Sequence, residues 1–258
     1  MRDRAEFDAA IAAAGLTISA VAPDDRDGWT PADRFVALDD NTLSTWIDHV
    51  CTKRSIDDRT VATMLGWKAF SYLVSVLPLA SWARLDVVPD VAVDNLLMDV
   101  PGDPSVAFGM REFRLLDTGD SAVDVVDVWW NGLMTPLIER WRMEARLGTR
   151  ALEAFVVAHA VTIIGGVVPD LAESHARIGT FVAALPERLR PMAKVMEYRT
   201  EDGPWKAIGE RTSCCLAYKL PAGGYCVSCN LLDDDERTVL IESHGAAWRR
   251  PDRTPVEA

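Results

Sequence analysis

Arg211-Thr-Ser-Cys-Cys-Leu-Ala-Tyr-Lys-Leu-Pro-Ala-Gly-Gly-Tyr-Cys-Val-Ser-Cys-Asn230 is the stretch on which the reading of this chain turns. It holds four of the five cysteines of a 258-residue sequence, spaced C-C-x10-C-x2-C. Thiols gathered this tightly either pair as disulfides or hold metal. Disulfides belong to oxidising compartments, so the N-terminus bears on the choice. Ala9–Ala22 is apolar and ends in Ala-Val-Ala, which imitates a signal-peptide cleavage site. The residues before it, however, set Arg2 and Arg4 against Asp3, Glu6 and Asp8. A secretory leader opens with net positive charge. The segment is therefore expected to be an amphipathic or buried first helix, the compartment the cytoplasm, and the clustered cysteines metal ligands.

Structural zinc is normally wrapped by two C-x2–4-C claws. Cys226 and Cys229 fit one claw. Cys214 and Cys215 do not, because adjacent side chains diverge. A two-iron cluster offers four thiolate positions on two irons and relaxes that constraint. A [2Fe–2S] cluster on Cys214, Cys215, Cys226 and Cys229 is favoured, and zinc stays open. Such a centre is anionic, and nearby cations and N–H donors favour its reduced form. Arg211 and Lys219 are the local candidates for that tuning, with solvated surface charge as the plain alternative. Gly223 and Gly224 would let backbone N–H groups approach sulfur.

The flanking chain reads as mainly helical α+β. Glu6–Ala14 forms a short helix stopped near Gly15, and Asp24–Asp33 is a loop. Asn41 is placed to cap Thr42–Lys53, where Leu43, Trp46, Ile47 and Val50 fall at helical spacing. Asp57 or Asp58 caps Arg59–Leu77, which Pro78 should break or kink. Asp86–Val100 and Val106–Leu116, separated by Pro-Gly-Asp-Pro at 101–104, read as a pair of strands. Val123–Arg146, Arg150–Ile164, Leu171–Leu185 and Leu189–Glu197 read as helices, the second buried on most sides. Trp205–Leu232 lacks helix signals, and His244–Ala258 reads as a frayed end.

A net charge of −12 and the absence of any dense Lys/Arg block argue against nucleic acid and anionic membranes as partners. No run of about 18 apolar residues lacks a charge, so no transmembrane helix is expected. Cys51 reads as a half-buried thiol, His159 as a satisfied core histidine, His175 as exposed and His244 as part of the tail. Trp129, Trp130 and Trp141 share an apolar stripe and read as core; Trp205 is placed to shield the cysteine segment. The chain has no G-x-G-x-x-G, P-loop, H-E-x-x-H or G-x-S-x-G. With no site for a hydride donor, electrons would come from outside.

On Arg211, Cys214, Cys215, Leu216, Tyr218, Cys226 and Cys229 the sequence resembles the FhuF-like ferric-siderophore reductase family. The similarity extends more weakly over about residues 60–235. It implies a [2Fe–2S] cluster on the four cysteines and one-electron reduction of Fe(III) held by a siderophore, usually a hydroxamate, with Fe(II) released in the cytoplasm. It also implies an external donor: a ferredoxin, a flavoprotein reductase or a small reductant. Four regions are expected: an N-terminal helical extension (1–55), the family's helical α+β body (56–204), the cluster segment (205–243) and a tail (244–258). The sequence departs from the family at Asn230, where Pro is usual, and at Glu153-Ala154, where Trp-Gly is frequent, which leaves the substrate open. Tyr218 and Tyr225 lie where a siderophore could dock. A zinc-stabilised binding module and an iron–sulfur redox sensor are the competing readings.

Overall fold

The structure, a computed structural model, describes residues 4–14, 29–37, 41–99, 107–116, 122–145, 147–220 and 223–251. The expected stop at Gly15, residues 24–28 of the expected 24–33 loop, the 101–104 turn and the chain after Pro251 lie outside these residues.

Three short elements lead into the core. Helix α1 (Arg4–Ala13) buries Phe7 and Ile11; β1 (Thr30–Pro31) is followed by α2 (Asp33–Val36), which buries Phe35. Helix α3 (Thr42–Arg54) turns Leu43, Trp46, Ile47 and Val50 inward, as their spacing requires. Asn41 stands at its N-cap position, but its side chain makes no capping bond. Helix α4 (Arg59–Leu85) is capped by Asp58, which accepts from the N–H groups of Thr60 and Val61 at 2.8 and 3.3 Å.

Helix α4 runs through Pro78, contrary to expectation. Proline in a helix interior costs about 3 kcal/mol. Around it Val74, Leu79 and Trp82 are buried, and each large apolar side chain contributes about 1.5–3 kcal/mol. Burial therefore outweighs the missing hydrogen bond.

The expected strand pair is a nested ladder. Strands β2 (Val88–Pro89), β3 (Leu96–Asp99), β4 (Ala107–Met110) and β5 (Leu115–Leu116) pair antiparallel as β3–β4 inside and β2–β5 outside, and β1 joins the free edge of β3. Helix α5 (Ala122–Val126), a π-helical stretch (Asp127–Met134) and α6 (Thr135–Ala145) then continue one another. Trp129, Trp130 and Trp141 are fully buried, as expected. Trp46, Trp67, Phe70 and Trp141 form one aromatic nest with ring centroids 4.7–6.1 Å apart.

Helix α7 (Thr149–Val167) is buried on nearly every side and packs along α4. Both helices are long and apolar enough to cross a membrane by length and composition, which the sequence reading did not anticipate; here 61% and 67% of their apolar windows are buried in the protein's own core. Helix α8 (Leu171–Ala184) follows, capped by Asp170.

The segment 189–197 is not a helix. A single 3-10 turn (Arg190–Met192) leads into β6 (Lys194–Thr200), the middle strand of a sheet with β7 (Lys206–Glu210) and β8 (Ala246–Arg249). Pairing on both edges overrides the helix-tolerant Met, Glu and Lys of β6. The expected frayed end at His244 is likewise corrected, because β8 pairs with β6 through Tyr198↔Trp248. Helix α9 (Asp234–Glu242) packs on β8, and α7 packs on β7. The α7–β7 approach is backbone to backbone: a Cβ on Gly165 would overlap the Ala207 carbonyl, and one on Gly209 the Ala158 carbonyl. That contact delivers the end of β7, and the residues after it, against the α4–α7 core.

Candidate metal centre

The first cysteine pair hangs from the end of β7. The Arg211 N–H donates to the Ser228 carbonyl at 3.2 Å, tying the two ends of the segment together. Ser213 Oγ donates to the Ala151 carbonyl at 2.9 Å and pins the chain to α7. Leu216 then takes a left-handed conformation with φ 60°, and its N–H donates to Cys214 Sγ at 3.3 Å. The Ala217 N–H donates to the Cys215 sulfur. The N–H···S donors thus come from the turn after the vicinal pair, not from the glycines. Gly223 serves a tight return in which a Cβ would overlap the Ala217 carbonyl, and Gly224 faces open space.

The second pair sits in a tight turn, with the Cys229 N–H donating to the Cys226 carbonyl at 2.8 Å. A buried arginine from α9 holds it. Arg237 donates to the carbonyls of Val227, Cys229 and Leu232 at 3.2, 3.1 and 3.3 Å and to Glu210 Oε1 at 3.0 Å. Glu210 is held in turn by Arg250 at 2.8 Å. A capping box, Asp233 with Glu236, fixes the start of α9 so that Arg237 points inward.

All four thiols are free; Cys215 and Cys229 are buried, Cys214 and Cys226 half-buried. Burial pushes the Cys214 thiol up, against the Leu216 N–H. Burial acts the same way on Cys215, but the Ala217 N–H and the charges of Arg211 and Lys68 outweigh it and pull that thiol down. Lys68, half-buried on α4, is itself pushed down by burial, with Cys215 working against that and Arg211 and Arg54 adding to it. Arg211 is only 4% exposed. Its guanidinium lies 5.5 Å over the Phe155 ring, and none of its three nitrogens has a hydrogen-bond partner of good geometry. Its charge faces the Cys215 sulfur beside it. Lys219, the other tuning candidate, is exposed on the outer turn.

Among the described residues no three His, Cys, Asp or Glu side chains converge on one point. Four free thiols, two N–H···S donors and a buried guanidinium without an oxygen partner fit an anionic sulfur-ligated group.

Elsewhere, His159 is buried and shares a 3.1 Å hydrogen bond with Ser71 Oγ. Its pKa is lowered to about 3, first by burial and then by Arg211 and Lys68, so the ring stays neutral. His175 is less exposed than expected and bonds Glu197 at 2.8 Å. His244 is exposed. Cys51 is half-buried on α3, where burial pushes its thiol up. Trp205 does not shield the cysteines. Its ring lies between the guanidinium groups of Arg199 and Arg249, at the end of β7 far from Arg211, and a five-residue strand spans about 17 Å. Glu153, one of the departures from the family pattern, is a buried partner of Arg188 at 2.7 Å. Tyr218 and Tyr225 are exposed and stack at 6.0 Å. Sequence reading missed Lys68, Arg54 and Arg237. Lys68 alone left a signal: it is the single charge between Val61 and Ala83.

Residues 211–229 match the family model of the FhuF 2Fe-2S C-terminal domain. The segment is FhuF-like, and the cofactor it indicates is a [2Fe–2S] cluster. No curated protein and no solved structure matches the chain.

Proposed function

We propose that this FhuF-like, [2Fe–2S]-carrying chain is a ferric-siderophore reductase whose cluster ligands are Cys214, Cys215, Cys226 and Cys229. The observation that carries the reading is the family match on those cysteines, joined to a buried cation, Arg211, beside Cys215. When bound, the cluster supplies one electron at a time. Arg211 and Lys68 offset the negative charge on the sulfurs, and the Leu216 and Ala217 N–H groups donate to them. Cys226 stands on the wall of an open cleft beside α4 and α7, where an acceptor would approach. There Fe(III) in a siderophore would take an electron by outer-sphere transfer. Oxygen chelators hold Fe(II) weakly, so the metal would leave into the cytoplasm. A ferredoxin, flavoprotein reductase or small reductant would reload the protein.

The test begins with anaerobically purified protein. Brown protein with about two irons and two sulfides, bleached by dithionite, is expected. The reduced protein should then be reoxidised by a ferric siderophore, with about one Fe(II) trapped by a ferrous chelator per chain. Protein that binds one zinc and resists reconstitution would sink the reading. Reduced protein that no ferric chelate reoxidises would leave a redox sensor instead.

A further inference from the structure

Beside the cysteine segment lies a cleft of about 410 Å³ between α3, α4, α7 and the end of β7. Its walls carry three cations: Arg54 from the end of α3, Lys68 from α4 and Arg211 from the end of β7. Among the described residues no carboxylate lines it. Among the described residues none of the three cations forms an ion pair with Asp or Glu, in a protein whose net charge is −12. Neutral His159 and Tyr72 add hydrogen-bonding groups, and Cys226 stands on the same wall.

The three Arg211 nitrogens are enclosed by protein, so this guanidinium lends the cleft charge and not a hydrogen bond. The cysteine sulfurs offset part of that charge, because Cys215 lies beside Arg211. They do not reach the open side, where Arg54 is exposed. Arginine's planar fork matches a carboxylate in two parallel bonds, and the cleft is of a size that takes a small ligand or one arm of a larger one.

The geometry points to this cleft as the docking site for an anionic, carboxylate-bearing ferric chelate, whose carboxylates meet Arg54 and Lys68 beside Cys226, with the enclosed Arg211 adding positive charge from the wall. This rests on the reductase reading and narrows it: the preferred acceptor is a hydroxycarboxylate-type chelate, not the hydroxamate that the resemblance implies. The cations serve binding and charge selection, and the electron step is unchanged.

Gallium(III) chelates test the site without electron transfer, since gallium(III) has the charge and size of Fe(III) and is not reduced under these conditions. Calorimetry on the cluster-loaded full chain would compare gallium(III) citrate with a neutral gallium(III) trishydroxamate. Saturable binding of the citrate chelate, at least about tenfold tighter than the trishydroxamate, is expected. Arg54→Glu should weaken it by about tenfold or more with the cluster spectrum unchanged, because Arg54 is exposed and packs in no core. Tyr72→Ala, at the mouth, should weaken it less and serves as a second variant. No saturable citrate binding, equal or tighter trishydroxamate binding, or indifference to Arg54→Glu would each overturn the proposal. If gallium citrate binds as stated but the reduced protein passes electrons to no ferric chelate, the anion site stands and the reductase reading falls. If ferric trishydroxamate is reduced while gallium citrate fails to bind, the reverse holds.

Discussion

The two cysteine pairs are held by opposite means. Cys214-Cys215 is presented from below by an apolar scaffold: β7 is pressed on α7 at Gly209, and Cys215 and Leu216 pack against the main core. Charge enters there as single cations, Arg211 and Lys68, facing sulfur. Cys226–Cys229 has little apolar backing beyond a small cluster around Met196, Ile241 and Ala246. Its turn is held by one arginine reaching three carbonyls and a carboxylate. Apolar contact is spread over many atoms and degrades gradually. A polar clamp on one side chain fails at once, because its loss strands several buried acceptors. The second pair should therefore be the point at which the centre comes apart.

The largest expected effect is on that clamp. Arg237→Met keeps the volume but leaves Glu210 and three carbonyls short of a donor. Breaking a buried ionic network from one side costs about 3–5 kcal/mol. Denaturant unfolding should show that loss, and the cluster absorbance should bleach at far lower chelator concentration than in the native chain. Arg237→Lys should recover less than half of it, since one ammonium cannot reach all four acceptors. If Arg237→Met held its cluster as firmly as the native protein, the contrast between the pairs would collapse.

A smaller effect is expected from the scaffold side. Gly209→Ala puts a methyl group onto the Ala158 carbonyl, and both partners are backbone, so β7 must shift. Overpacking of this kind costs about 1–3 kcal/mol. Because β7 carries Arg211, the shift should be read at the first pair: a changed visible circular dichroism of the cluster, with iron content kept.

That difference also governs what the sequence disclosed. The apolar half was legible where one face repeats at helical spacing, as in α3, where a whole helix is apolar, as in α7, and where turn residues bound Val-rich runs, as around β2 and β3. Pro78 misled because local propensity, worth about 3 kcal/mol, lost to burial on both sides of it. The 189–197 segment misled because β6 is a strand through its two partners and not through its own residues. The cysteines were legible as a constellation because a spacing survives in one dimension. Their supports were not. Arg237 follows Asp233-Asp-Asp-Glu and looks like one more residue of a solvated acidic helix; only the fold buries it. Lys68 and Arg211 are far apart in sequence and meet only because α4, α7 and β7 pack together.

The smallest effect separates the two tuning candidates, which sequence proximity could not rank. Arg211 is buried beside Cys215 without another anion, so its positive charge acts through protein with little screening. Lys219 is exposed, and water screens it. A cation beside the sulfurs stabilises the reduced centre, which carries one more negative charge, so removing it must lower the potential. Arg211→Gln retains most of the shape and loses the charge; a loss of about 1.4 kcal/mol corresponds to about 60 mV for one electron. Lys219→Gln should leave the potential within about a tenth of that. Redox titration followed by visible absorbance reads both variants. Equal shifts would mean that the centre senses net charge and not a placed guanidinium. A shift for Arg211→Gln alone would mean that the surroundings of the first pair, and not the net charge, set the potential of the centre.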